Sequence, residues 1–174
     1  MSLAVRDLGQ GDTDTLQQLL ESVPDYSERV TGYPPGPSDA LSVLTMVPDG
    51  FDPAGKRAIG LWDGDQLVGF ADALIGYPDQ ETAFIGLLVT VGGRHRKGLG
   101  RTLHESVVER ARQECGAGGK LRLAIVDTNA LEAEPFWRAM GYQPTGEVRP
   151  YRYDNLESQT RLWQRPISLD ATAL

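Results

Sequence analysis

Residues Phe84 to Cys115 read FIGLLVTVGGRHRKGLGRTLHESVVERARQEC. Three patterns meet in this stretch. Phe84–Val91 is an apolar run of strand length, rich in Val and Ile. Gly92–Arg101 is glycine-rich and basic, carrying Arg94, Arg96, Lys97 and Arg101. From Leu99 onward Leu99, Leu103, Val107, Ala111 and Cys115 recur at helical spacing on one stripe. A strand that feeds a short glycine loop and then opens a helix is a phosphate-binding device. The first N–H groups of a helix have no internal partner, and the helix dipole places partial positive charge beside them. On this reading Gly98 and Gly100 leave room for a phosphate, and the flanking cations add charge around it.

Two common phosphate loops fail on spacing. A P-loop needs Lys and then Ser or Thr after its last glycine, and here Leu99 follows Gly98. A dinucleotide fingerprint needs a third glycine where Leu103 stands. What remains is a basic pair, G-x-G, then a helix.

Upstream, Lys56–Trp62 and Gln66–Tyr77 read as strands joined at Asp63-Gly64-Asp65, and Pro78-Asp79-Gln80 turns the chain into a strand over Glu81–Val91. Gly69 inside the second strand suggests a bulge or bend. Earlier still, Leu3–Leu8 reads as a strand and Thr15–Val23 as a helix that Pro24 stops. A Pro/Gly-rich loop or broken helix with Tyr26 and Tyr33 follows, then a short helix from Ser38 or Asp39 through Met46.

Downstream, the helix ends at Gly116, and Lys120–Val126 is a buried-type strand. A right-handed crossover makes it parallel to Glu81–Val91 and sets Asp127-Thr128-Asn129 at its carboxyl end, where α/β sheets hold ligands. Asn129 and Glu132 fit a capping box. The next helix starts either at Pro135 or near Asn129 with a kink at Pro135. Its apolar face is Phe136, Trp137 and Met140. Tyr142–Tyr151 and Gln159–Arg165 read as a hairpin around Asp154–Glu157, and 166–174 as a flexible tail. Residues 1–174 contain no repeat and read as a single domain.

The composition sets bounds. With 174 residues, 40% hydrophobic and 24% charged, the chain can build one sizeable core. No apolar stretch approaches the ~20 residues of a membrane span. The start MSLAVRDLG lacks the apolar block of a signal peptide, so a cytoplasmic location is expected. One cysteine and two histidines offer little for a metal site, and Cys115 reads as a buried structural thiol. A net charge of −7 argues against nucleic acid and leans toward an amine-bearing partner.

The order of elements resembles the GNAT acetyltransferase superfamily from end to end. Gly98 and Gly100 match the two glycines of its Gln/Arg-x-x-Gly-x-Gly/Ala loop, with His95 in the first position. Asn129, then Phe136-Trp137, then Gly141-Tyr142 match its second signature. The resemblance implies an α/β (α+β) fold. Its mixed, mostly antiparallel central sheet has about seven strands flanked by four helices, and it splays between the fourth and fifth strands. It implies transfer of an acetyl group from acetyl-CoA to an amine by direct attack, with a small-molecule amine acceptor, no metal, no nucleic acid and no membrane. A homodimer is compatible with the family and fixed by no feature of this sequence.

The same resemblance implies the site. The strand from Leu88 through Val89 to Val91 would hold the pantetheine arm, an amide near Val89 would polarise the acyl oxygen, and Asn129 would bond the pantetheine. The amides of Arg96, Lys97, Gly98, Leu99, Gly100 and Arg101 would take the pyrophosphate. Trp137 would join these residues in binding CoA; it stands where many members have a tyrosine acid and has no acidic proton to give. The strand FIGLLV lacks the carboxylate base of many members. That leaves Asp72, flanked by Ala71 and Ala73, and Glu81 at the strand's start. Tyr26, Glu28, Tyr33, Tyr151 and Tyr153 fall where the family builds its acceptor site. His95 belongs to the phosphate loop. His104 lies off the helix stripe, and Tyr142 reads as core; neither is expected to be catalytic. Two non-enzyme readings stay open: a catalytically silent CoA-binding regulatory domain, and a plain interaction domain. The glycine pair with its four basic neighbours opposes the second.

Overall fold

The computed structural model describes residues 2–92 and 98–169. Alternating and continuous apolar runs build seven strands: β1 Leu3–Asp7, β2 Lys56–Asp63, β3 Gln66–Ile75, β4 Thr82–Thr90, β5 Lys120–Val126, β6 Gln143–Tyr153 and β7 Leu156–Pro166. They form one sheet in the order β1-β2-β3-β4-β5-β7-β6. The β1–β4 part is an antiparallel meander, β4 and β5 are parallel, and the remaining pairs are antiparallel. The parallel pair follows from the helical crossover between its strands, since a parallel return needs a long connection.

Five α-helices lie among the described residues: α1 Thr13–Ser22, α2 Pro24–Thr31, α3 Asp39–Thr45, α4 Leu99–Cys115 and α5 Ala130–Ala139. This is one more than the sequence reading anticipated. Pro24 does end α1, but it also occupies the first turn of α2, where its missing N–H costs nothing and its fixed φ is already helical. Gly32 closes α2 at φ +82°. The stretch read as a loop or broken helix therefore holds a two-turn helix.

Each face of the sheet has its own core. Leu99, Leu103, Val107 and Ala111 of α4 pack with Trp137 of α5 and Met140 just after it on Ile59, Val68, Ala71, Ile85 and Leu121. Leu16, Leu19 and Leu20 of α1 and Ala40 of α3 cover Leu67, Phe70 and Val89 on the other face. The bulge foreseen near Gly69 falls at the Leu61/Trp62 register shift, which passes over Val68. Gly69 itself lets α4 close in: a Cβ there would lie 3.2 Å from Leu103 Cδ2.

The C-terminal hairpin is tighter than its sequence suggested. Tyr153 pairs with Leu156, leaving a two-residue turn in which Asp154 takes φ +50°. β7 extends to Pro166, and Ile167 is fully buried with its N–H on Gly119 O. The strand and core thus extend past the point where a tail was expected. No helix among the described residues is long and apolar enough to cross a membrane.

Candidate active site

β4 and β5 stay paired only from Thr82–Lys120 to Ile85–Leu123. Past that point β4 continues against β3 and β5 continues against β7, so the two strands part. A cleft of about 970 Å³ opens between them. Its walls are β4 from Ile85 to Thr90, β5 from Leu123 to Val126, the start of α4, one face of α5, and α2.

The β4 wall presents unpaired backbone. Val91 N–H donates to Val68 O at 2.9 Å, on the β3 side. Strand alternation turns the Val89 amide the same way and leaves those of Leu88 and Thr90 facing the gap. The amides that address the cleft therefore flank Val89, whose side chain is buried against α1. Val91 does not line the cleft; it packs between the two cores.

At the cleft's other end α4 begins. Gly98 is its N-cap at φ +75°, and the first helical bond runs from Thr102 N to Gly98 O at 2.9 Å. The N–H groups of Leu99, Gly100 and Arg101 thus belong to the unpaired first turn. Gly98, Gly100 and Arg101 line the cleft, while the Leu99 side chain is fully buried in the core and only its backbone is available. The sequence reading gave both glycines one reason, and the structure gives them two. Gly98 supplies a left-handed φ. Gly100 supplies clearance, because a Cβ there would lie 3.0 Å from Phe136 Cε2. Arg94, His95, Arg96 and Lys97 lie outside the described residues.

Asn129 sits at the carboxyl end of β5, in a short 3₁₀ turn, Asp127–Asn129, that runs directly into α5. Pro135 lies inside that helix, so the helix starts next to Asn129 and not at Pro135. The capping box does not form: the Asn129 side chain makes no cap hydrogen bond. Its Oδ1 instead accepts from Arg29 Nε at 2.6 Å. Arg29, on α2, is a cleft residue that the sequence did not reveal. Its partner is a hundred positions away, and only Pro24 and Gly32, bracketing α2, hint at the helix that carries it.

α2 is fastened to the last hairpin as well. Tyr151 Oη donates to Val30 O at 2.5 Å, and Tyr33 Oη donates to Asp154 Oδ2. Tyr26 lines the cleft, and burial, with Tyr151 nearby, pushes its hydroxyl up to about 12, so it stays protonated. Tyr26, Tyr33 and Tyr151 thus lie around α2, with Tyr33 exposed, as Glu28 and Tyr153 are.

Trp137 lines the cleft within an aromatic cluster with Phe136, His104 and Tyr142. His104 is buried, not off the packed face, with Nε2 2.9 Å from Tyr142 Oη. Burial, aided by Arg165 and Arg101, pushes its pKa down to about 3, so it is neutral at ordinary pH. Cys115 is half-buried, and burial raises its thiol pKa.

The two carboxylate candidates separate. Glu81 stands in the β3–β4 turn, exposed, at the opposite end of β4 from the cleft. Asp72 is buried, with Oδ1 2.8 Å from Lys56 Nζ. It does not itself line the cleft. A bulge passes over Gly86 between the pairs Asp72–Leu87 and Ala73–Ile85, and Asp72 Oδ2 lies 2.8 Å from where a Gly86 Cβ would be. Gly86 does line the cleft, so the carboxylate sits against a cleft residue without lining the cleft itself. Burial raises the Asp72 pKa against the opposing pull of Lys56. Among the described residues no group of His, Cys, Asp and Glu is arranged to hold a metal ion.

The chain belongs to the acetyltransferase (GNAT) family, whose model matches residues 20–142. The fold recurs in solved structures at low identity. An acetyltransferase from Thermus thermophilus is 24% identical, with TM-score 0.70, over 95% of this chain and 97% of that one. The ribosomal-protein-S18-alanine N-acetyltransferase from Escherichia coli is 16% identical, with TM-score 0.68, over 99% of both. An N-acetyltransferase from Staphylococcus aureus is 11% identical, with TM-score 0.70, over 97% of this chain and all of that one. No curated protein matches the sequence significantly.

Proposed function

We propose that the protein moves an acetyl group from acetyl-CoA to the primary amine of a small, cationic acceptor by direct transfer. The observation that carries this reading is the continuity of the β4–β5 gap with the open start of α4. An extended arm needs unpaired strand backbone beside it, and Leu88 and Thr90 offer that. A pyrophosphate needs unpaired amides at a helix start, and Leu99, Gly100 and Arg101 offer those, with the Arg101 charge beside them. Asn129 lines the same cleft.

The acceptor enters from the α2 side, past Asp25 and Tyr26. The amine lone pair attacks the thioester carbonyl carbon, the C–N bond forms and the C–S bond breaks. A strand amide, from Leu88 or Thr90, stabilises the oxygen as it gains charge. Asp72, which lies against the cleft residue Gly86, takes the ammonium proton; a carboxyl raised by burial suits that role. The departing thiolate takes its proton from water or from the attacking nitrogen, which must shed a second proton to become an amide, since Trp137 has none to give. The net charge of −7 favours a cationic acceptor.

Trp137 also supports a second reading, a CoA-binding regulatory domain without turnover. An assay of free thiol release from acetyl-CoA across a panel of polyamines, amino acids and aminoglycosides separates the two. Release with at least one amine supports the transferase. CoA binding with no release from any amine supports the silent domain.

A further inference from the structure

We infer that Arg29 is a positioning residue for CoA: through Asn129 it sets which way the amide faces the cleft. The inference rests on the CoA-binding reading and adds a residue from α2 to it. Asn129 is buried at the cleft wall, and an amide there has two orientations. They present opposite chemistry to a ligand, a donor in one and an acceptor in the other. A guanidinium has donors only. The 2.6 Å contact from Arg29 Nε therefore requires that the amide turn its oxygen to Arg29, whichever way heavy atoms alone would be assigned. The NH₂ group is left for the cleft, and it has no protein acceptor among the described residues. A pantetheine arm offers amide carbonyls, so a donor is the useful choice.

The arrangement is held at both ends. Asn129 is fixed at the junction of β5 and α5. Arg29 is fixed because Tyr151 Oη bonds the carbonyl of the adjacent Val30. The α5 cap is left without its side-chain bond so that the amide can serve Arg29. A polar side chain at an N-cap ordinarily bonds the first turn. Its diversion here is the mark of another use.

The test is calorimetric titration of CoA and acetyl-CoA into the full chain, with thermal melts run alongside. Gln carries a nitrogen donor at the same distance along the side chain as Arg Nε; Met carries none. Arg29→Met is expected to weaken CoA binding about tenfold, the scale of one oriented hydrogen bond. Arg29→Gln, which can donate from the same position but can also accept, is expected to lose clearly less than Arg29→Met. In an Asn129→Ala background, Arg29→Met is expected to have no further effect. Should Arg29→Met fail to fold, Arg29→Glu takes its place. Glu offers only acceptors, turns the amide round, and predicts an equal or greater loss.

Equal binding by wild type and Arg29→Met would overturn the inference. So would a loss in Arg29→Gln as large as in Arg29→Met, which would point to charge or packing. A further loss in the Asn129→Ala background would do the same. No CoA binding by wild type would overturn the transferase reading itself, and the inference with it.

Discussion

Gly100 and Phe136 touch across the mouth of the cleft, with the ring Cε2 3.0 Å from where a Gly100 Cβ would stand. The first turn of α4 can approach α5 only because no side chain intervenes. Ala in place of Gly favours a helix by about 1 kcal/mol. Forcing an extra carbon into a tight contact costs about 1–3 kcal/mol. Gly100→Ala is therefore expected to lose about 1 kcal/mol in wild type. In a Phe136→Leu background it is expected to gain up to about 1 kcal/mol, since only the helix preference remains. Urea unfolding of the four proteins checks the change of sign; a gain in the wild-type background would contradict it.

Gly98 fails differently when replaced. Nothing lies within 4 Å of its missing Cβ, but φ is +75°. Gly98→Ala is expected to lose about 1–2 kcal/mol from backbone strain alone. Trimming a neighbour should bring no rescue, and Gly98→Asn should lose less, because Asn tolerates this region. Equal losses for Ala and Asn, again by urea unfolding, would show that strain is not the cause.

These two glycines mark how far the sequence could be read. That a strand, a glycine loop and a helix follow one another was legible, because each is a local pattern. Gly98 needed only its place before α4. The reason for Gly100 lies in Phe136, across the fold, and periodicity carries no such contact. Helix α2 was missed because Pro24 was read as a stop and not also as a start. The capping box at Asn129 was plausible locally, but the bond from Arg29 outcompetes it. His104 was placed off the packed face because polar residues usually are; its bond to Tyr142 makes burial tolerable.

The buried, neutral His104 gives stability a pH dependence. Its pKa is about 3 when folded and ordinary when unfolded, near 6.5. Between those values the unfolded chain binds more protons, so stability rises with pH and is lost as pH falls from about 6.5 toward about 3. Arg165 of β7 and Arg101 of α4 reinforce the effect, since both disfavour a charged imidazole. Thermal melts of wild type and His104→Gln at pH 7 and pH 5 check it. The drop in Tm on acidification should be smaller in His104→Gln; an equal drop would remove His104 from the account.

Asp72→Asn should affect stability and turnover separately. It leaves the buried Lys56 ammonium without its counter-charge, a loss of about 3 kcal/mol. If Asp72 is the proton acceptor, kcat per folded molecule should fall about a hundredfold or more. Lys56→Met combined with Asp72→Asn should restore stability and leave turnover low. Wild-type kcat should fall as acid protonates Asp72, from a pH above the ordinary Asp range because its pKa is raised. Wild-type kcat in the double variant would assign proton removal to solvent.

The central claim is that the β4–β5 gap and the start of α4 form one acetyl-CoA site. The most direct test is calorimetric titration of acetyl-CoA into wild type and into the Gly98→Glu/Gly100→Glu variant, whose folding is checked by thermal melting. Saturable one-to-one binding in the micromolar range, abolished in a folded variant by negative charge at the helix start, is the predicted result. Undiminished binding by that variant, or none by wild type, would contradict it.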